Sequence, residues 1–187
     1  MPNWCENHLS ITGKEEEVKR IFEIIEQPVD NGGEYNIIAN LYPCPEELLG
    51  TTATRDESNW TEQQKANKEK YGYTDWYQWR IDKWGTKWPD SDTRSESDPV
   101  IATSSDGVST IAFGFETPWG PPIEAFHKIS SDYPNLLFCL YYEEPGMGFC
   151  GKNIWANGEE VESESSELIS SYFDEDYLYE HYVENKG

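Results

Sequence analysis

The run Gly146-Met147-Gly148-Phe149-Cys150-Gly151 spells the G-x-G-x-x-G pattern that lets a backbone approach a pyrophosphate. That chemistry needs a strand before the glycines and a helix after them. Strand-like sequence follows here, and Asn157-Gly158 turns the chain soon afterwards, so the run reads as a glycine-rich hairpin. A kinase-type glycine loop also joins two strands, but its companion signatures are absent. Cys5-x-x-His8 with Cys44 supplies zinc-ligand types, yet no second paired motif completes a site. Cys5 reads as a buried residue at the start of a strand, with His8 on the outer face. Cys139 and Cys150 read as small apolar fillers across the hairpin. Asp90-x-Asp92-x-Arg94-x-Glu96-x-Asp98 imitates a calcium loop until Arg94 takes a ligand position and the turn glycine is missing, leaving a solvated linker. Glu143 and Glu144 are adjacent on a strand and project to opposite faces, a poor acid–base couple. His127 and His181 have no evident partner, and neither a nucleophile elbow nor H-E-x-x-H is present. No catalytic residue, metal or cofactor is expected.

Two other regions remain. Between residues 60 and 88, Lys65, Lys68, Lys70, Arg80, Lys83 and Lys87 are interleaved with Trp and Tyr, as in single-stranded nucleic-acid sites. Tyr73, Tyr77, Ile81 and Trp84 are spaced as one helical face with Trp76 beside it, and Gly85 is placed to cap it, so core packing claims many of these rings. The alternative is an aromatic pocket in which Trp76, Trp79, Arg80, Lys87 and Trp88 hold a nucleotide-like ligand. The second region is acidic. The chain carries 36 Asp+Glu against 14 Lys+Arg, a formal net charge of −22, and the excess lies almost wholly outside residues 59–98.

The elements that would position these groups are readable in part. Leu9 and Ile11 alternate along a strand, and Thr12 with Glu15 fits a capping box ahead of Val18, Ile21, Phe22 and Ile25 at helical spacing. Residues 28–108 read as an insertion, with a short apolar run (Ile37, Ile38, Leu41) and polar linkers around 50–58 and 89–106. Ile111, Phe113 and Phe115 form a strand. Pro121-Pro122 opens a helix with Ile123, Phe126, Ile129 and Tyr133 on one face. Leu136–Tyr142 reads as a central strand buried on both faces, followed by strands at 149–155 and near Val161. Residues 165–184 read as helical. This order argues α+β: an antiparallel sheet with helices on one face, a Trp-rich helical insertion and an acidic C-terminal helical tail. Residues 1–156 form the domain, and 157–187 the hairpin end and tail.

Composition narrows the classes further. Leu, Ile, Val and Phe make up only about 19% of the chain, a disorder-like value, but 8 Trp and 12 Tyr require a folded core. No apolar run approaches the roughly 20 residues of a membrane helix. The opening Met1-Pro2-Asn3-Trp4-Cys5-Glu6 lacks the basic and apolar regions of a signal peptide, and four scattered Cys suit a reducing cytosol. The net charge argues against direct binding to nucleic acid or to anionic membrane.

Four stretches together resemble the YubB-type ferredoxin-like domain proteins of bacteriophages and plasmids: Met1–Asn7, Trp84-Gly85-Thr86-Lys87-Trp88, Thr117-Pro118-Trp119-Gly120-Pro121-Pro122, and Tyr142–Phe149. The resemblance covers about residues 1–156. Gly120 stands where that pattern carries Ser, and residues 156–187 are more acidic than it requires. It implies a ferredoxin-like α+β fold in a mobile-element accessory protein, and no activity.

The reading that follows is a non-enzymatic protein that binds and inhibits a host defence or nucleic-acid-handling protein. Glu159, Glu160, Asp174, Glu175 and Asp176 would meet its basic surface in place of phosphates. Leu168, Tyr172 and Phe173 would pack the tail or anchor the partner.

Overall fold

A computed structural model describes residues 2–28, 35–52, 54, 56–95, 102–103 and 107–167. Its central element is β1 (Trp4–Lys14), in which Cys5, Asn7, Leu9 and Ile11 are buried and the residues between them point the other way. Strand β1 pairs antiparallel on both sides: with β4 (Val108–Pro118) along its whole length and with β5 (Leu137–Glu144) from Glu6 to Thr12. Beyond β4 lie β2 (Ser91–Ser95) and the two-residue β3 (Ala102–Thr103), and beyond β5 lie β6 (Phe149–Ala156) and β7 (Glu159–Glu167). The order along the sheet is β2-β4-β1-β5-β6-β7.

Two helices return the chain between strands. Helix α1 (Glu15–Ile25) follows β1, and α6 (Ile123–Asp132) joins β4 to β5. The unit β1-α1-β2-β4-α6-β5, with spatial order β5-β1-β4-β2, is therefore a βαββαβ ferredoxin-like domain. The β6–β7 hairpin widens it at the β5 side. Between α1 and β2 the chain inserts α2 (Ile37–Leu41), α3 (Glu46–Leu49), α4 (Glu62–Tyr71) and α5 (Trp76–Trp84).

Val18, Ile21 and Ile25 of α1 and Ala125, Phe126 and Ile129 of α6 are fully buried against Leu9, Ile11, Phe113, Phe138 and Leu140. The Phe126 ring lies 6.2 Å from Phe115 and 6.1 Å from Trp155, tying α6 to both halves of the sheet. Each of the Val, Ile, Leu and Phe side chains here contributes roughly 1.5–3 kcal/mol by burial. Ile37, Ile38, Leu48, Trp79 and Trp84 of the insertion join this same core. No helix among the described residues is long and apolar enough to cross a membrane.

Several expectations are corrected. The helix after β1 begins at Glu15 with no side-chain cap, because Thr12 stays in the strand, its hydroxyl 2.9 Å from that of Thr110. Strand β5 is buried on one face only: Phe138 and Leu140 are covered, while Leu137 and Tyr141 are exposed. The polar stretch after residue 89 contains β2, bulged at Asp92. Residues 165–167 belong to β7 rather than to a helix, and residues 168–184 lie outside those described. Helix α4 has no apolar face; a Thr61–Gln64 capping box and buried Gln64 and Asn67 secure it instead.

Asp90 is the residue that binds the insertion to the sheet. Its carboxylate, 4% exposed, accepts the backbone N–H groups of Ile37 and Ile38, each at 2.8 Å, and the Thr93 hydroxyl at 2.7 Å. Burial pushes this carboxyl up, and the Thr93, Ile38 and Ile37 donors pull it back. Removing it leaves two helix N–H groups buried without an acceptor. Asp90→Ala should cost about 3 kcal/mol, read as a lowered urea midpoint with unchanged slope, and Asp90→Asn should cost less.

Candidate functional site

Because β1 runs antiparallel to β4 and β5, one end of the sheet collects the start of β1, the ends of β4 and β5, and the start of β6. The four stretches that carry the family resemblance meet there. Trp119 extends the β1–β4 ladder by donating its N–H to Asn3 O at 2.8 Å. The Asn7 amide, 1% exposed, donates to Cys5 O and to Thr117 Oγ1, both at 2.9 Å, and Thr117 Oγ1 donates to Gly120 O at 2.8 Å. That chain of bonds fixes the turn carrying Trp119.

The β5–β6 hairpin rests on the same end. Buried Glu144 accepts the N–H groups of Gly146 at 2.9 Å and Met147 at 2.6 Å. A Cβ on Gly146 would lie 2.7 Å from Asn3 Nδ2 and 2.8 Å from Glu144 Oε1, so a larger residue there would have to displace both side chains. The glycine run is thus a hairpin, as its sequence context implies. Cys5 lies on the covered face of β1 and His8 on the other, so the two cannot chelate one ion. The Cys5 thiol is pushed up to about 12, first by burial and then by the charges of Glu144 and Glu143.

The run Trp84–Trp88 completes the cluster. Gly85 ends α5 in the left-handed conformation at φ 77°. A Cβ there would sit 3.6 Å from Pro121 O and 3.7 Å from Glu124 N, so the end of α5 lies on the start of α6. Three residues on, Trp88 stacks on Trp119 with ring centroids 5.9 Å apart and planes 24° apart. The Lys87 ammonium lies 4.5 Å from the Trp88 ring centroid and 5.6 Å from that of Tyr77. Trp119 has φ 67° and is 46% exposed. A bulky side chain in that conformation costs on the order of 1–2 kcal/mol.

The sheet face away from α1 and α6 is polar. Glu6 stands in register with Glu116 on one side and Glu143 on the other, an unfavourable row of like charges. In the next row His8 lies between Gly114 and Tyr141, and Tyr141 pairs with Lys152. Lys152, nearly buried, pairs with Glu162 and stands 4.0 Å from Glu164. Glu143 is pushed up by burial and by Glu6, with His8 opposing. Glu144 points to the covered face, as adjacent strand residues must.

The residues proposed for an aromatic pocket divide. Trp79 is 5% exposed and packs on Tyr42 and Trp84 in the core. The Arg80 guanidinium is stacked 5.0 Å from Trp76 and 4.8 Å from Trp84, and it holds down the buried Cys44 thiol, which burial pushes up. These groups pack on one another rather than around an open site. Trp88 instead stacks on Trp119, which the pocket reading did not include, with Lys87 over Trp88. A cleft of about 210 Å³ lies elsewhere, lined by Glu17, Arg20, Asp132 and Tyr133 among others. Glu159 and Glu160 are exposed at the far end of β7, opposite the cluster. Asp174, Glu175, Asp176, Leu168, Tyr172 and Phe173 lie outside the described residues.

A sequence model of the ferredoxin-like domain in Api92-like protein matches residues 83–182. Among solved structures, the crystal structure of a protein api92 from Yersinia pseudotuberculosis is similar with a TM-score of 0.56 and 14% identity, covering 89% of this chain and 98% of that one. At that identity the likeness is one of fold. No curated protein matches the sequence.

Three expected outcomes follow from the geometry. Trp119→Gly relieves the left-handed strain while losing the Trp88 stack, worth about 0.5–1.5 kcal/mol, so stability should change by less than about 1 kcal/mol. Trp84→Ala, in the core, should cost about 3–5 kcal/mol in the same urea titration. For Glu143, a folded-state pKa above the unfolded one means that its charge destabilises the fold at neutral pH, and that this cost vanishes once both states are protonated. Glu143→Gln should therefore raise the melting temperature at pH 7, with the gain gone by about pH 4.

Proposed function

The chain belongs to the family built on the ferredoxin-like domain of Api92-like protein, a fold that carries no activity of its own, and we propose that it is a non-enzymatic accessory protein of a bacteriophage or plasmid. It acts in the host cytosol by occupying the basic surface of a defence or nucleic-acid-handling protein. The observation that carries this reading is the edge strand β7. Its nine residues Glu-Glu-Val-Glu-Ser-Glu-Ser-Ser-Glu contain five carboxylates and no base, and its outer edge has no paired strand among the described residues. Lys152 neutralises only the Glu162–Glu164 portion, while Glu159, Glu160 and Glu167 meet no cation among the described residues.

Successive charges on one side of a strand are about 7 Å apart, close to the phosphate spacing of a single nucleic-acid strand, and the sequence continues from β7 into Asp174, Glu175 and Asp176. A row of that kind displaces counterions from a basic groove as phosphates do. Binding then weakens steeply with salt, and nucleic acid competes for the same groove.

The test is capture from host lysate with stepwise salt elution, with wild type beside a variant neutralised at Glu159, Glu160, Asp174, Glu175 and Asp176. The expected result is a stoichiometric protein that elutes with salt, is displaced by added DNA and is lost by the variant. Equal capture by the variant overturns the reading.

A further inference from the structure

We propose that the cluster at the start of β1 is a binding site for a nucleoside monophosphate, with the base stacked on the outer face of Trp119 and the phosphate held by Lys87, Thr86 and the first turn of α6. The site is separate from the acidic edge and does not depend on it.

Two short segments form it, and they are fastened together at both ends. Gly85 lies against Pro121 and Glu124, and Trp88 lies against Trp119. Everything between those contacts is held within a few residues: Thr86 and Lys87 on one segment, Gly120 and the first turn of α6 on the other.

The base position rests on Trp119. Its ring is backed by Trp88 on one side and is nearly half exposed, and the backbone holds it there in a conformation that favours glycine. Solubility gains nothing from such an arrangement, and the core does not use it. A nearly half-exposed indole supported by a second ring is a stacking platform for a planar ring, worth about 1–3 kcal/mol per base in single-stranded sites.

The phosphate position rests on three independent features. Lys19, Lys65, Lys70, Lys128 and Lys152 each pair with a carboxylate. Lys87, like Lys14, Lys68 and Lys83, meets no carboxylate among the described residues, and its ammonium is set over Trp88 and Tyr77 beside the exposed Trp119 turn. In a chain so rich in acid, an ammonium resting only on rings stays open to an anion. Beside it Thr86, 1% exposed, has a buried hydroxyl with no hydrogen-bond partner. The third feature is α6, ten residues long, whose first turn has no side-chain cap and whose Glu124 N–H lies close to Gly85. Ile123 donates its N–H to Pro121 O and Pro122 has none, so the Glu124 and Ala125 N–H groups are the ones an anion would meet at this helix start.

The size of the ligand follows from charge. A net of −22 repels a polyanion at long range, whereas a single phosphate within reach of Lys87 is governed by local groups. Glu124, exposed in the first turn of α6, and the Glu6–Glu116–Glu143 row at this end of the sheet are the local groups that oppose binding.

The experiment is a calorimetric titration of the full chain with AMP, with adenosine and inorganic phosphate as separate probes. The expected result is AMP binding at least about tenfold tighter than either probe, because stacking and the charge-assisted contact act together. Trp119→Gly and Lys87→Met should each lose about tenfold or more while keeping the wild-type urea midpoint, and Glu124→Gln should bind more tightly. The proposal is overturned if AMP shows no heat of binding at millimolar concentration, binds no tighter than phosphate alone, or binds Lys87→Met as it binds wild type. Should Trp119→Gly unfold, Lys87→Met and Glu124→Gln decide the matter, because both residues carry their charges at the surface.

Discussion

Everything in this molecule is placed by the two-sided pairing of β1. Its residues are hydrogen-bonded to β4 along the whole strand and to β5 from Glu6 to Thr12, so one alternating sequence fixes both faces of the sheet. Leu9 and Ile11 on one side give α1 and α6 an apolar floor; Glu6 and His8 on the other side are exposed. A one-residue slip would exchange these sets, burying two ionisable groups and exposing the core. The antiparallel sense of both pairings has a second effect. It gathers the ends of β4 and β5 beside the start of β1, and the convergence of Asn3, Trp119 and Gly146 follows from strand direction alone.

Residues 35–90 inserted between α1 and β2 give the second constraint its importance. A loop of that length gains little order from chain connectivity, and several of its helices are too short to be stable alone. Two devices hold it. Ile37, Ile38, Trp79 and Trp84 enter the common core, with Trp84 Nε1 donating to Tyr42 O at 2.9 Å. Asp90 then bonds the first N–H groups of α2 from the residue that precedes β2. The insertion is therefore closed at its end by one carboxylate. Because α5 finishes at Gly85 directly ahead of that closure, the run Thr86–Trp88 has little freedom and is presented to the turn around Trp119 in one arrangement.

How much of this was legible depended on whether a signal was local. Alternation at Leu9 and Ile11, helical spacing in Val18–Ile25 and Ile123–Ile129, and the Asn157-Gly158 turn, with φ 55° and 77°, are local and correctly indicate their elements. Strand β2 was not visible because Ser-Asp-Thr-Arg-Ser has neither apolar alternation nor β-branched enrichment. Its place is set by pairing with β4. Asp90 looked like one more acid in a polar linker, since its partners lie more than fifty residues earlier in the chain. Helix α4 did leave a signal in Thr61-x-x-Gln64, a capping box ahead of a segment with no apolar stripe to confirm it. Of the proposed pocket, Lys87 and Trp88 were placed at the surface cluster, while Trp79 went to the core. Helical spacing shows which rings share a helix face. It does not show which face the fold covers.

The last question is how a protein so acidic can keep both an anion-like edge and an anion-binding end. Distance and screening allow it. Glu159 and Glu160 start β7 at the end of the sheet away from Trp119, separated by the strand length of β7, about 30 Å for nine residues. The Debye length in the cell is about 8 Å, so the field of those exposed carboxylates has largely decayed across that span. Charges nearer the cluster matter more. Glu144 is turned inward and occupied by two backbone N–H groups, and Asp75 and Asp90 are likewise committed to capping α5 and α2. At this end Glu144 is spent on backbone donors while Glu124 and the Glu6–Glu116–Glu143 row still oppose an anion, so binding there depends on Lys87, which meets no carboxylate among the described residues. The uneven distribution of charge in the sequence thus has a structural counterpart: an edge that displays carboxylates, and a ring-lined end from which several of them have been turned inward.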